Sequence, residues 1–86
     1  MEPIDLATAE VVKNAIRRTT LSQATVAKLA GIAPSTWSRR MKGEDGFRVW
    51  ELMKVAKVLE TSPGDLMDEA FIAAAKQSGV ELKKAS

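Results

Sequence analysis

The chain contains neither cysteine nor histidine among its 86 residues. The absence of cysteine excludes disulfides, thiolate metal sites and cysteine nucleophiles. The absence of histidine removes the commonest general base and metal ligand. The eleven Asp and Glu residues are all missing from residues 11–43, so the sequence offers no convincing pair of nucleophile and base. We therefore predict no enzyme activity, no cofactor, no metal site and no small-molecule ligand.

Long hydrophobic runs are also missing. The longest covers residues 70–75 and is far shorter than the ~20 residues of a membrane-spanning helix. The first ten residues, MEPIDLATAE, lack the basic and then apolar layout of a signal peptide. We expect a cytoplasmic protein with no membrane partner, folded as a single domain over residues 1–79 and followed by a flexible tail over residues 80–86.

The missing acids give the charge an uneven distribution. The stretch without Asp or Glu holds seven of the thirteen bases: Lys13, Arg17, Arg18, Lys28, Arg39, Arg40 and Lys42. The other six bases share the rest of the chain with all eleven acids, so a net charge of +2 conceals +7 on one part and −5 on the remainder. A basic surface of this kind indicates binding to the phosphate backbone of nucleic acid.

Glycine and proline are few, and they fall mostly between segments of helical periodicity. Ser22 and Ser62 suit helix N-caps, Pro34 and Pro63 suit first helical positions, and Gly31 suits a helix end. The sequence therefore predicts an all-α, compact five-helix fold with a helix-turn-helix over residues 22–43. The predicted helices start at residue 6 or 8 and end at 18, and then cover residues 23–30, 34–42, 49–59 and 63–78.

Apolar periodicity predicts which side of each helix is buried. The predicted buried residues are Leu6, Ala9, Val12 and Ile16 in the first helix, Val26, Leu29 and Ala30 in the second, and Val49, Leu52, Met53, Ala56 and Leu59 in the fourth. In the third helix, Trp37 and Met41 share the inward side, whereas Ser35, Ser38, Arg39 and Lys42 share the other. That polar side fits either an ordinary solvated surface or a helix that enters the DNA major groove, and the surrounding absence of acids favours DNA.

Several motifs at joint spacing carry a family resemblance: Leu21-Ser22-Gln23, Val26-Ala27, Gly31-Ile32, Ser35-Thr36-Trp37-Ser38-Arg39, Gly43, Leu52 with Ala56 and Leu59, and Ser62-Pro63. Residues 22–66 resemble the helix-turn-helix domain of lambdoid phage repressors and Cro, the xenobiotic-response-element family of bacterial regulators. The resemblance implies that the third helix recognises double-stranded DNA. It also implies that the second and third helices cross closely at Ala27.

The resemblance also implies a set of DNA contacts. Base edges would be met by Ala33, Pro34, Ser35 and Arg39. The DNA backbone would be met by Ser22, Gln23, Thr36, Ser38, Arg40, Lys42 and Arg48. Because Ala33 and Pro34 offer no side-chain hydrogen bonds, direct readout would depend heavily on Arg39.

The chain departs from the family pattern at two positions. Arg40 stands where the family usually has an aliphatic core residue, and Met41 stands where it often has glutamate. We expect Met41 to take the buried role, with Arg40 laying its stem along the core and carrying its charge to the surface.

The remaining large apolar residues suggest both core and interface. Trp37 is predicted to be a core residue, and Phe47 is predicted to cover the core just before the fourth helix. Trp50 lies at the edge of the fourth helix's apolar stripe, and the fifth helix has more apolar surface than one contact requires. Candidate residues for a homodimer interface are Trp50, Met67, Phe71 and Ile72.

The favoured function is a sequence-specific DNA-binding transcriptional regulator, a phage-type repressor or Cro-like protein that binds a pseudo-palindromic operator as a homodimer. The alternative is an antitoxin-type interaction module, which binds a toxin through the fifth helix and the tail and autoregulates its operon.

Overall fold

The computed structural model describes residues 3–77, which form five α-helices and no strand. The helices are α1 (Pro3–Arg17), α2 (Gln23–Ala30), α3 (Pro34–Met41), α4 (Val49–Val58) and α5 (Pro63–Gln77). The predicted all-α, five-helix fold is confirmed. The predicted tail and the predicted end of the fifth helix lie outside the described residues. Within residues 3–77, every helix is too short or too polar to cross a bilayer.

Local capping signals explain why the bounds of α2 were predictable. The Ser22 hydroxyl accepts a hydrogen bond from the Thr25 N–H at 3.1 Å, which satisfies one free amide of the first turn. At the other end, Gly31 adopts φ 75°, and the N–H groups of Gly31 and Ile32 donate to the carbonyls of Lys28 and Ala27. This Schellman motif ends α2. Three residues later the chain enters α3 at Pro34.

The first helix begins earlier than predicted, at Pro3 rather than at residue 6 or 8. Proline is favourable at the first position of a helix, where its missing N–H leaves no bond unmade. Asp5 lies in the first turn, where its negative charge is stabilised by the helix dipole. The prediction relied on apolar periodicity, and it gave too little weight to these two end signals.

The core consists of two adjoining clusters. The larger joins residues of all helices except α5: Val12, Ile16, Val26, Ala27, Ala30, Ile32, Trp37, Leu52 and Val55. The smaller lies between α1, α4 and α5: Val11, Ala15, Ala56, Leu66 and Ala70. Leu59 is partly buried and packs against both. Ala27 is 4% exposed, which agrees with the close helix crossing that the family resemblance implies.

Four predicted core residues are exposed, namely Leu6 (37%), Leu29 (62%), Val49 (65%) and Met53 (56%). In α2 the buried side is formed by Val26, Ala27 and Ala30, so Leu29 lies off its edge. In α4 the buried side includes Glu51 as well as Leu52, Val55 and Ala56. The prediction was wrong there because apolar periodicity assigns a glutamate to solvent.

Candidate nucleic-acid interface

The outward side of α3 is a row of polar side chains. Ser35, Ser38, Arg39 and Lys42 are all exposed. Trp37 lies on the opposite side and is 6% exposed, which confirms its predicted place in the core. The helix is short, with 8 residues, so burial of this large ring fixes which of its sides faces solvent.

Trp37 is held by two contacts besides the main core. Its ring meets that of Phe47 edge to face, with centroids 5.8 Å apart and an interplanar angle of 79°. Such pairs are a favourable aromatic arrangement. Its indole N–H donates to the side-chain oxygen of Gln23 at 3.4 Å. Phe47 is half-buried against the larger cluster, as predicted. The contacts of Trp37 therefore join α3 both to α2 and to the loop before α4.

The start of α2 offers hydrogen-bond donors beside α3. The first amides of any helix lack partners within the helix, and they suit phosphate oxygens. Since Gln23 uses its oxygen for Trp37, its NH₂ group remains a donor for DNA. The hydroxyl of Ser22 is already engaged with Thr25, from whose N–H it accepts and to whose hydroxyl it donates at 2.9 Å. A phosphate contact by Ser22 would compete with this cap.

Most of the residues with predicted DNA contacts are accessible. The four proposed for base edges are all exposed: Ala33, Pro34, Ser35 and Arg39. Of those proposed for the DNA backbone, five are exposed: Ser22, Gln23, Ser38, Lys42 and Arg48. Thr36 is half-buried. The contacts themselves stay predictions.

Arg40 is the exception, and the prediction that it carries its charge to the surface is wrong. Its side chain is 8% exposed, and its Nε donates to Glu51 Oε1 at 2.9 Å. The same Glu51 oxygen accepts the N–H of Arg48 at 2.7 Å. Met41, which was expected to take the buried role, is only half-buried. A buried charge needs a partner of opposite charge, and Glu51 supplies it, so we leave Arg40 out of the proposed DNA surface.

A second acidic residue approaches the outward side of α3. Asp45 lies in the loop between α3 and α4, and its Oδ2 is 3.5 Å from Arg39 Nε and 3.7 Å from Arg40 Nη1. Sequence analysis missed this residue because loop geometry has no period from which its position could be derived. The loop is set by Gly43, which has φ 73° and ends α3 in a second Schellman motif. In that motif Gly43 and Glu44 donate to the carbonyls of Arg40 and Arg39.

The four candidate dimer residues do not share one surface. Met67 and Phe71 line an apolar groove together with Ile4, Phe47 and Val49, between α1, α4 and α5. Trp50 is 49% exposed and follows Val49 at the start of α4. Ile72 lines a different groove on α5, with Arg18, Asp65 and Glu69. The second groove is lined by four charged residues and four apolar ones. The first is lined by two charged residues, Asp5 and Asp68, and seven apolar ones, which makes it the better candidate for apolar association.

Comparison with known families agrees with this geometry. A family model described as Cro/C1-type HTH DNA-binding domain matches residues 12–69, which is more than half of the chain and includes α2, α3 and α4 entirely. No curated protein and no solved structure matches the chain.

Proposed function

Because the chain belongs to the Cro/C1-type HTH DNA-binding domain family, we propose that it is a transcriptional regulator that recognises a specific sequence in double-stranded DNA. In this proposal α3 is the recognition helix, which enters the major groove. The chain acts as a phage-type repressor or Cro-like protein and binds a pseudo-palindromic operator as a homodimer.

The arrangement of α3 is the observation that carries the proposal. Burial of Trp37 turns Ser35, Ser38, Arg39 and Lys42 outward. The major groove admits one α-helix, and an arginine there can donate two hydrogen bonds to the O6 and N7 atoms of guanine. Arg39 lies one turn after Ser35 and is the only long donor among the four positions proposed for base edges. Lys42, at the end of the helix, is suited to a phosphate.

The elements before and after α3 provide the DNA-backbone contacts that hold this helix in the groove. The start of α2, with Gln23 next to Trp37 of α3, provides amide donors. Arg48, the N-cap of α4, provides an exposed positive side chain. Contacts to phosphates set the position of the protein on the duplex without selecting a sequence. Base selection is therefore assigned to α3 and backbone contact to its neighbours.

A homodimer is proposed through the apolar groove between α1, α4 and α5. Met67 (46%), Phe71 (57%) and Val49 (65%) leave a large apolar area in water, and exposed patches of this kind commonly mark interfaces. A second copy would place two recognition helices about 34 Å apart, one turn of DNA. An antitoxin-type module would place a toxin on this face instead. A stable dimer formed by the purified chain alone favours the homodimer.

Selection of binding sites from random duplexes tests the function. We expect the chain to enrich a motif with two related halves, about one helical turn apart. The matched control carries both Arg39→Ala and Lys42→Ala, keeps the buried side of α3 intact, and should enrich the motif far more weakly, with no preference at the base that Arg39 contacts. If the unaltered chain enriches no motif, sequence-specific DNA recognition is wrong.

A further inference from the structure

The carboxylate of Asp45 lies between two arginines that have different roles. Its Oδ2 is 3.5 Å from Nε of exposed Arg39 and 3.7 Å from Nη1 of buried Arg40. Arg39 and Asp45 are each about half exposed, with side-chain exposures of 57% and 51%. An exposed pair of this kind contributes little to stability. Its significance therefore lies in orientation.

One of the two arginines beside Asp45 is anchored in the core. Arg40 is fixed by Glu51, whose side chain is 2% exposed and which accepts both the Arg40 Nε–H and the Arg48 N–H. One of the two terminal nitrogens of Arg40, Nη1, faces Asp45. A line of alternating charges thus runs outward from the core, from Glu51 through Arg40 and Asp45 to Arg39. The buried pair at its inner end places Arg40 Nη1 3.7 Å from the same carboxylate oxygen that faces Arg39.

Asp45 faces the Nε atom of Arg39, so the two terminal nitrogens of the Arg39 guanidinium can still donate to DNA. Arginine presents five N–H donors in a planar fork. With Nε facing a carboxylate, the two terminal nitrogens can still donate in parallel to the O6 and N7 atoms of a guanine. We infer that Asp45 is a positioning residue for base recognition, which holds the Arg39 guanidinium in the orientation that fits guanine. This inference rests on the proposed function.

The sign of the Asp45 charge makes the inference testable. A carboxylate close to DNA repels phosphates, so it weakens binding to every duplex. The loss is offset only where Arg39 meets a guanine, since an oriented arginine then forms its two bonds without first losing rotational freedom. Asp45 therefore lowers affinity for random DNA and raises the ratio of operator to random binding.

The experiment compares Asp45→Asn with Glu44→Gln on the selected operator and on a random duplex. Both changes remove one negative charge from the same loop, but Glu44 has no ion-pair partner among residues 3–77. We expect both variants to bind random DNA slightly more tightly than the unaltered chain. Asp45→Asn alone should lower the operator-to-random ratio, by about 2-fold to 5-fold, the range that the interaction of an exposed ion pair can provide.

A base analogue separates orientation from a general structural effect. Each operator guanine is replaced in turn by 7-deazaguanine, which lacks the N7 acceptor. At one position the analogue should weaken the unaltered chain severalfold and weaken Asp45→Asn by a smaller factor, because the contact is already partly impaired. If Asp45→Asn and Glu44→Gln change both DNAs equally, or if the analogue weakens Asp45→Asn as much as the unaltered chain, the role of Asp45 is wrong while the DNA-binding function stands. If the unaltered chain does not distinguish operator from random DNA, the proposed function is wrong, and the role of Asp45 is wrong with it.

Discussion

Arg40 Nε donates to Glu51 Oε1 at 2.9 Å, and both side chains are buried. The pair joins the last turn of α3 to the first turn of α4, and Glu51 also accepts the N–H of Arg48 at 2.7 Å. This buried contact is an ion pair, whereas the residues of the two core clusters are apolar. The pair thus links the proposed recognition helix to α4 and to Arg48 at the end of the intervening loop.

Removing one member of this pair should destabilise the fold strongly. Glu51→Gln keeps an oxygen for the Arg48 N–H but leaves the charge of Arg40 without its buried partner. We expect the free energy of unfolding to fall by about 3 kcal/mol, as for other broken buried pairs. Denaturation by urea measures it.

The matched control is the double variant Arg40→Met and Glu51→Gln, which removes both charges. Because a buried pair often contributes little relative to a well-packed neutral replacement, the double variant should recover most of the loss. Equal losses in the single and double variants would show that the charge of Arg40 is not what makes the single change harmful.

Two glycines with the same backbone conformation should differ in how they tolerate alanine. Gly31 and Gly43 have φ 75° and 73°. A Cβ added at Gly31 meets nothing within 4 Å, whereas one added at Gly43 comes within 3.2 Å of Leu6 Cα and 2.6 Å of Leu6 Cδ2. Gly31→Ala should cost about 1–2 kcal/mol for the left-handed conformation alone. Gly43→Ala should cost a further 1–3 kcal/mol, approximately, for overpacking against α1. Urea denaturation compares them, and equal losses would place α1 farther from the loop.

Glu60 lies just after the end of α4 in a left-handed backbone conformation that would suit glycine better. It has φ 55°, and the N–H groups of Glu60 and Thr61 donate to the carbonyls of Lys57 and Ala56. This is a Schellman motif without its usual glycine. Relief of about 1–2 kcal/mol of strain exceeds the ~0.5–1 kcal/mol that glycine loses on ordering. Glu60→Gly should therefore raise the melting temperature by a few degrees. Glu60→Gln, which removes only the charge, should not, and a lower melting temperature for Glu60→Gly would contradict the account.

The dimer proposal is tested by two substitutions on one helix. Phe71 lines the apolar groove between α1, α4 and α5, and Ile72 lines the other groove. They are exposed by 57% and 41%, so a charge at either should leave the fold of the monomer intact. In sedimentation at micromolar concentration, Phe71→Glu should be monomeric and Ile72→Glu should remain dimeric. A monomeric unaltered chain, with and without DNA, would rule the dimer out.

The bounds of α2 and the starts of α3 and α5 were predictable because each depends on neighbouring residues. The Ser22 cap, the Gly31 stop and the Pro34 start act within one helical turn, and they agree with the structure. Ser62 behaves in the same way, since its hydroxyl accepts the N–H of Gly64 at 3.1 Å. Trp37 was also predictable, since it is the largest apolar side chain on a short helix.

The buried charges were not predictable from periodicity. The prediction assigned every charged residue to solvent. It therefore placed Glu51 outside and Val49 and Met53 inside, and the structure shows the reverse for all three. Arg40 carried a signal, because it lies three residues after Trp37 and so comes near the inward side of α3. Its partner is eleven residues away in sequence, however, and depends on the path of a glycine-bounded loop.

The central claim is that α3 selects a DNA sequence through Arg39 and holds a phosphate through Lys42. The most direct measurement is a salt titration of Arg39→Ala and Lys42→Ala on the selected operator and on random DNA. Arg39→Ala should lose about 1–3 kcal/mol on the operator, relax specificity at one base position and matter less on random DNA. Lys42→Ala should weaken both DNAs by similar factors and lower the salt dependence by about one contact per subunit. If Arg39→Ala weakens both DNAs equally, Arg39 contacts only the DNA backbone, and the claim that it selects the sequence is contradicted.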